Sequence, residues 1–97
     1  MLYAMIAKDK PGSGDKRVAT RPVHVEHLKS MGEKLVLAGP LLGPDGNPEG
    51  SLLLLEADSL EAATATLMAD PFIKEGIFGS VEVKPLRIAF NHTGKDF

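Results

Sequence analysis

Ser51-Leu-Leu-Leu-Leu-Glu-Ala57, read beside Lys34-Leu-Val-Leu-Ala-Gly-Pro-Leu-Leu42, decides what kind of sheet this chain builds. Both segments have strand length, and both are apolar at consecutive positions, so their side chains enter both faces of a sheet. A strand with one wet face alternates apolar and polar residues. These two do not alternate, so something covers each face.

Working outward, Leu2 to Lys8 is a first strand, and Asp9-Lys-Pro-Gly-Ser-Gly-Asp15 is a turn-rich loop behind it. The glycines there fit neither GxGxxG nor GxxxxGK[ST], so the loop is a connection rather than a phosphate cradle. A helix runs from about Lys16 to Gly32, with Pro22 expected to kink it or start a fresh turn capped by Thr20. Gly32 ends it. Lys34–Leu42 is the second strand, with Gly39-Pro40 as a bulge or exit, and Gly43-Pro-Asp-Gly-Asn-Pro-Glu-Gly50 is a loop. After the third strand, Asp58 and Glu61 have capping-box spacing, and Leu60, Ala63, Leu67 and Met68 form the apolar side of a second helix. It stops at Asp70-Pro71, and Phe72-Ile-Lys-Glu makes a short turn to Gly76. Phe78 to Phe90 is a fourth strand, placed at an edge or bent by Pro85. Residues 1–90 thus make one α+β domain, and residues 91–97 a C-terminal tail.

The order β-α-β-β-α-β is the ferredoxin-like split βαβ arrangement: an antiparallel four-stranded sheet with two helices on one face. Two helices cannot cover both faces. The simplest cover for the second is another copy of the chain, so a homodimer with face-to-face sheets is expected. Size agrees, because 97 residues bury only about 60–65% of their unfolded surface and gain from a partner.

Composition excludes several classes. A net charge of −2 with mixed signs provides no basic face for nucleic acid. The absence of cysteine removes disulfides, thiolate metal sites and cysteine nucleophiles. The Met1-Leu-Tyr-Ala-Met-Ile-Ala start reads as neither signal peptide nor membrane anchor, so the expected address is the cytoplasm.

The chemistry concentrates in the first helix. Arg17, Arg21, His24, Leu28 and Met31 are spaced four, three, four and three apart, and Leu28 and Met31 turn that stripe inward. The stripe carries two guanidinium groups and an imidazole toward the interior, where polar groups need partners. His24 is either a packed core residue or a general base in an enclosed site. His27 is a flank residue and His92 lies in the tail. Their spacing to one another and to carboxylates does not make a metal site. Arg17 and Arg21 suit an anion, or else a dimer salt bridge or a cap for Asp70. Asp70 before Pro71 is a ready N-cap, and spacing alone does not bring it to His24. Asp45, Asn47, Glu49, Gly50 and Glu56 half-match a calcium loop, but no helix enters it and the segment to Glu56 reads as strand.

These pieces together resemble one family. Met1-Leu-Tyr-Ala, Arg17-x3-Arg21-Pro-x-His24, Ala38-Gly39-Pro40, Ser59-Leu-Glu-Ala-Ala63, Asp70-Pro71-Phe72 with Gly76, and Val81-x-Val83-Lys84-Pro85 occur in the order found in YciI-like proteins, over residues 1–90. The resemblance implies a dimeric α/β-barrel with His24 and Asp70 as a His–Asp dyad in a pocket beside it. It also implies a cofactor-free, metal-free lyase or isomerase acting on a small anionic or phenolic molecule, since members include a dehydrochlorinase and the wider fold a lactone isomerase. Arg17, Arg21 and Phe72 are then substrate-binding, Phe72 standing where members often have tyrosine. The alternative is a non-catalytic dimeric module that binds a small metabolite. Haem is possible on this fold but is not expected here, and neither a nucleic-acid nor a membrane partner is expected.

Overall fold

The structure, a computed structural model, describes residues 1–97. Seven main elements follow one another: β1 (Leu2–Asp9), α1 (Gly14–Ser30), β2 (Leu35–Leu42), β3 (Pro48–Glu56), α2 (Leu60–Met68), α3 (Pro71–Lys74) and β4 (Phe78–Leu86). The strands form one antiparallel sheet in the order β2-β3-β1-β4, the ferredoxin-like arrangement expected from the sequence.

Register assigns every strand residue a face. Tyr3, Met5 and Ala7 of β1 stand opposite Leu55, Leu53 and Ser51 of β3, and these six point toward the helices. All but Ser51 join Met31, Ala63 and Leu67 of α2, Phe72 of α3, Ile77 and Phe78 in the hydrophobic core. Leu2, Ala4 and Ile6, opposite Glu56, Leu54 and Leu52, lie on the other face with Leu37 and Leu41 of β2. No helix or strand of the chain packs on that side; Leu2 and Leu54 are nonetheless buried there, whereas Ile6 and Leu37 are 43% and 50% exposed.

Several boundaries differ from the sequence expectation, each for a local reason. Helix α1 begins at Gly14 and runs through Pro22 as a single helix, with neither a fresh turn nor a cap at Thr20. Proline removes the hydrogen bond to residue 18, and Val18 is 73% exposed, so water can serve the freed carbonyl. Gly32 follows the helix in the left-handed region, as a terminating glycine should. In β2 the register shifts fall at Leu35/Leu37 and Leu41/Leu42 rather than at Gly39-Pro40, and Pro40 is tolerated because β2 is an edge strand. Strand β3 starts at Pro48, not Ser51, because β2 continues to Leu42 and pairs there. Asp45 tightens the intervening turn by accepting from the Asn47 backbone and side chain, and those bonds hold its carboxyl below the usual range. The cap of α2 is Ser59, whose hydroxyl accepts from Ala62 N at 3.0 Å, rather than Asp58. Only Ala63 and Leu67 of the expected stripe are buried; Leu60 and Met68 stay half exposed. Strand β4 ends at Leu86, not Phe90, because Leu86 already faces Leu2 and β1 has nothing further to pair.

Candidate functional site

Asp70 is held by two local features before it meets anything distant. Pro71 at the first helical position fixes the backbone, and the Asp70 carboxylate caps α3 by accepting from Phe72 N at 2.9 Å. The same oxygen, Oδ1, lies 2.7 Å from His24 Nδ1. A carboxylate can only accept, so Nδ1 carries the proton and donates it to Oδ1. The pair is sealed on the acid side, Asp70 being 0% exposed and His24 8%. Nε2 has no partner in the chain and is not among the atoms closed off from solvent. The imidazole stacks on Phe72 with centroids 3.7 Å apart and planes 2° from parallel, so its tilt is fixed as well as its tautomer. Phe72 meets Phe78 edge-on.

A cavity of about 220 Å³ opens between α1 and the helix-facing side of β2 and β3. Arg17, Arg21, His24, Leu53 and Phe72 are among the residues that line it, with Pro40 forming part of the opposite wall. A dry cavity of about 150 Å³ admits benzene, so this space suits one substituted ring.

The two arginines are not equivalent. Arg17 is buried and saturated on two nitrogens: Nε donates to Asp9 Oδ2 at 2.8 Å, and Nη2 to Gly50 O at 2.6 Å and Ser51 Oγ at 2.7 Å. Its Cζ sits 4.8 Å from the Phe72 ring centroid. It makes no hydrogen bond to Asp70. Arg21 is exposed at the cavity rim and makes no ion pair in the chain. The inward stripe is rotated slightly from the one expected: Thr20, three residues after Arg17 and four before His24, is buried where Arg21 was placed. His27 Nε2 donates to Thr66 O, 3.0 Å away, fastening α1 to α2 outside the cavity.

Asp9 and Ser51 were passed over in the sequence, as a loop start and a strand start. A count of two back from Leu53 reaches Ser51 on the inward face, while Asp9 lies just past a register shift after Lys8 and turns inward to Arg17. For Ser51 the signal was there in the strand period.

The α+β ferredoxin-like fold, with His24 bonded to Asp70 beside a cavity, has relatives among known proteins. The chain matches the YCII-related domain over residues 1–87 and belongs to that family. It is 38% identical over 98 residues to protein YciI of Escherichia coli O6:H1, covering 93% of this chain and all of that one. It is also similar to the solved structure of a dehydrochlorinase, TftG from Burkholderia phenoliruptrix AC1100. That enzyme acts on 5-chloro-2-hydroxyhydroquinone and was solved with 2,5-dihydroxybenzoquinone. Identity is 32%, with a TM-score of 0.83 over 90% of this chain and 94% of that one. Protein Atu4242 from Agrobacterium tumefaciens shares the fold alone, at 21% identity and a TM-score of 0.56 over 92% and 94% of the two chains. No helix here is long and apolar enough to cross a membrane.

Proposed function

We propose that the chain is a cofactor-free enzyme of lyase or isomerase type that moves a proton on a small anionic or phenolic ring, with dehydrochlorination the favoured reaction. The observation carrying this reading is the 2.7 Å Nδ1–Oδ1 bond, which leaves Nε2 as the only unengaged nitrogen of an imidazole lining a one-ring cavity. His24 is the general base and Asp70 its orienter, which also stabilises the imidazolium that forms. In loss of HCl from a chlorinated hydroxyquinol, one hydroxyl proton first moves to the chlorine-bearing carbon, giving a keto tautomer with a tetrahedral H–C–Cl centre. Nε2 then takes a second hydroxyl proton, the O–H pair forms the second C=O, a ring double bond shifts toward the chlorine-bearing carbon, and chloride departs with the C–Cl pair. The step is redox-neutral and calls for no electron acceptor. Arg21 holds the substrate anion at the rim, Arg17 backs the cavity, and Phe72 fixes the imidazole plane. The likeness to TftG supports the reaction class.

The same reading includes a homodimer closed through the open sheet face, supported by the exposed apolar side chains of Ile6 and Leu37. Light scattering at micromolar protein checks it.

Two variants test the chemistry while sparing the local bonds. Asp70→Asn keeps an oxygen to cap Phe72 N, and His24→Asn keeps a donor for Asp70. Each is expected to lower turnover of chlorinated hydroxyquinols by about 10²–10⁴-fold with the fold and oligomer intact. Wild-type turnover that survives either change removes the dyad from the mechanism. Ligand binding without any turnover in the wild type favours the non-catalytic module.

A further inference from the structure

Of the ionisable residues, only Arg17, Arg21 and His24 line the cavity, while Asp9 and Asp70 stand behind the first and third. The Arg17–Asp9 pair is closed off from solvent, its side chains 10% and 8% exposed. In that setting two opposite charges cancel toward a nearby ligand, and the bonds on Nε and Nη2 leave only the two N–H groups of Nη1 for it, as neutral-like donors rather than a free charge. Arg21 has no such counterweight. The cavity therefore presents a ligand with one uncompensated guanidinium, located at the mouth rather than the base.

We propose that Asp9 sets the charge of the ligand: by neutralising Arg17 it makes the cavity selective for a single-ring monoanion whose charge meets Arg21, and against dianions. Asp9 is a specificity-determining residue that acts through Arg17 and does not touch the ligand. This rests on the cavity being a small-molecule site, but not on catalysis there. Its second carboxylate oxygen, Oδ1, is buried without a partner, so the whole carboxylate is committed to one guanidinium. An aspartate sealed in this way sustains the pair only while Arg17 remains charged against it.

Three probes of the same shape separate the possibilities by calorimetry at neutral pH: hydroquinone, gentisate and dihydroxyterephthalate, carrying none, one and two carboxylates. The wild type is expected to bind gentisate about tenfold more tightly than either of the others. Arg21→Gln abolishes the preference for gentisate over hydroquinone. Asp9→Asn releases the Arg17 charge and strengthens dihydroxyterephthalate by about tenfold, so that the dianion equals or overtakes gentisate. An Asp9 with only a structural role would instead weaken all three probes together.

Where Asp9→Asn does not fold, the pair Asp9→Asn with Arg17→Gln removes both charges at once and is expected to keep the wild-type order. Arg17→Gln alone leaves Asp9 uncompensated and turns the preference to hydroquinone. Failure of the wild type to bind any probe, or an order indifferent to these changes, overturns the proposal. Selectivity as expected with no turnover of chlorinated hydroxyquinols would instead reject the proton-transfer reading and leave the charge rule standing.

Discussion

Gly50 shows how tightly single residues are constrained around the cavity. A Cβ added there would collide with the Ala7 backbone carbonyl, which a flexible side chain cannot relieve by moving. Its own carbonyl accepts from Arg17, so the strand contact and the guanidinium are fixed by one residue. Gly50→Ala is expected to destabilise the fold by about 1–3 kcal/mol through overpacking, measured as a lower urea midpoint with unchanged slope. The sequence named both His24 and Asp70 because their types and local settings suggest chemistry. Their meeting was beyond any spacing rule, since 46 positions separate them and only the βαββαβ topology brings α1 beside α3. Arg17 and Arg21 were indistinguishable on a helical count, because a rotation of the inward face by less than one residue exchanges Arg21 for Thr20.

At the level of elements, apolar runs located the strands, stripes of residues at helical spacing located both long helices, and local chemistry set their ends. Ser59 and Asp58 are adjacent and both can cap, but only the Ser59 hydroxyl accepts from Ala62 N. Ser59→Ala should therefore lose about 1 kcal/mol in chemical denaturation, and Asp58→Ala only a few tenths. An equal loss from both would mean that the cap is shared. Pro22 misleads a reader of the sequence because proline removes the bond to residue 18 and crowds its carbonyl, yet here the helix continues past it, with Val18 on the wet side where water serves the freed carbonyl. The end of β4 was similarly hidden. Residues 87–90 continue an apolar pattern, but pairing stops where β1 runs out at Leu2.

For the molecule as a whole, the two-faced strands are the decisive feature. Leu53 and Leu55 fill the core while Leu52 and Leu54 turn away from it, so one short leucine run supplies both surfaces of β3. Under the homodimer reading, Ile6→Lys places a charge at the centre of the open face without touching the helix-facing core. It should convert the dimer to a folded monomer, seen as a halved mass in light scattering with helix content retained. A wild type that already runs as a stable monomer at micromolar concentration contradicts that reading.

The groups around the cavity come from nearly every part of the chain: Asp9 from the end of β1, Arg17 and His24 from α1, Ser51 from β3, Asp70 and Phe72 from α3. No fragment of the protein holds a binding surface by itself. Occupancy is therefore thermodynamically linked to the cooperative unfolding of the entire domain. A compound present at a hundred times its dissociation constant would raise the unfolding free energy by about 2.7 kcal/mol. For a domain this small, at about 4–8 °C per kcal/mol, that increment is an upward melting shift of about 11–22 °C. Under the small-molecule reading, heat resistance in the presence of metabolites thus becomes a direct readout of which compound binds there.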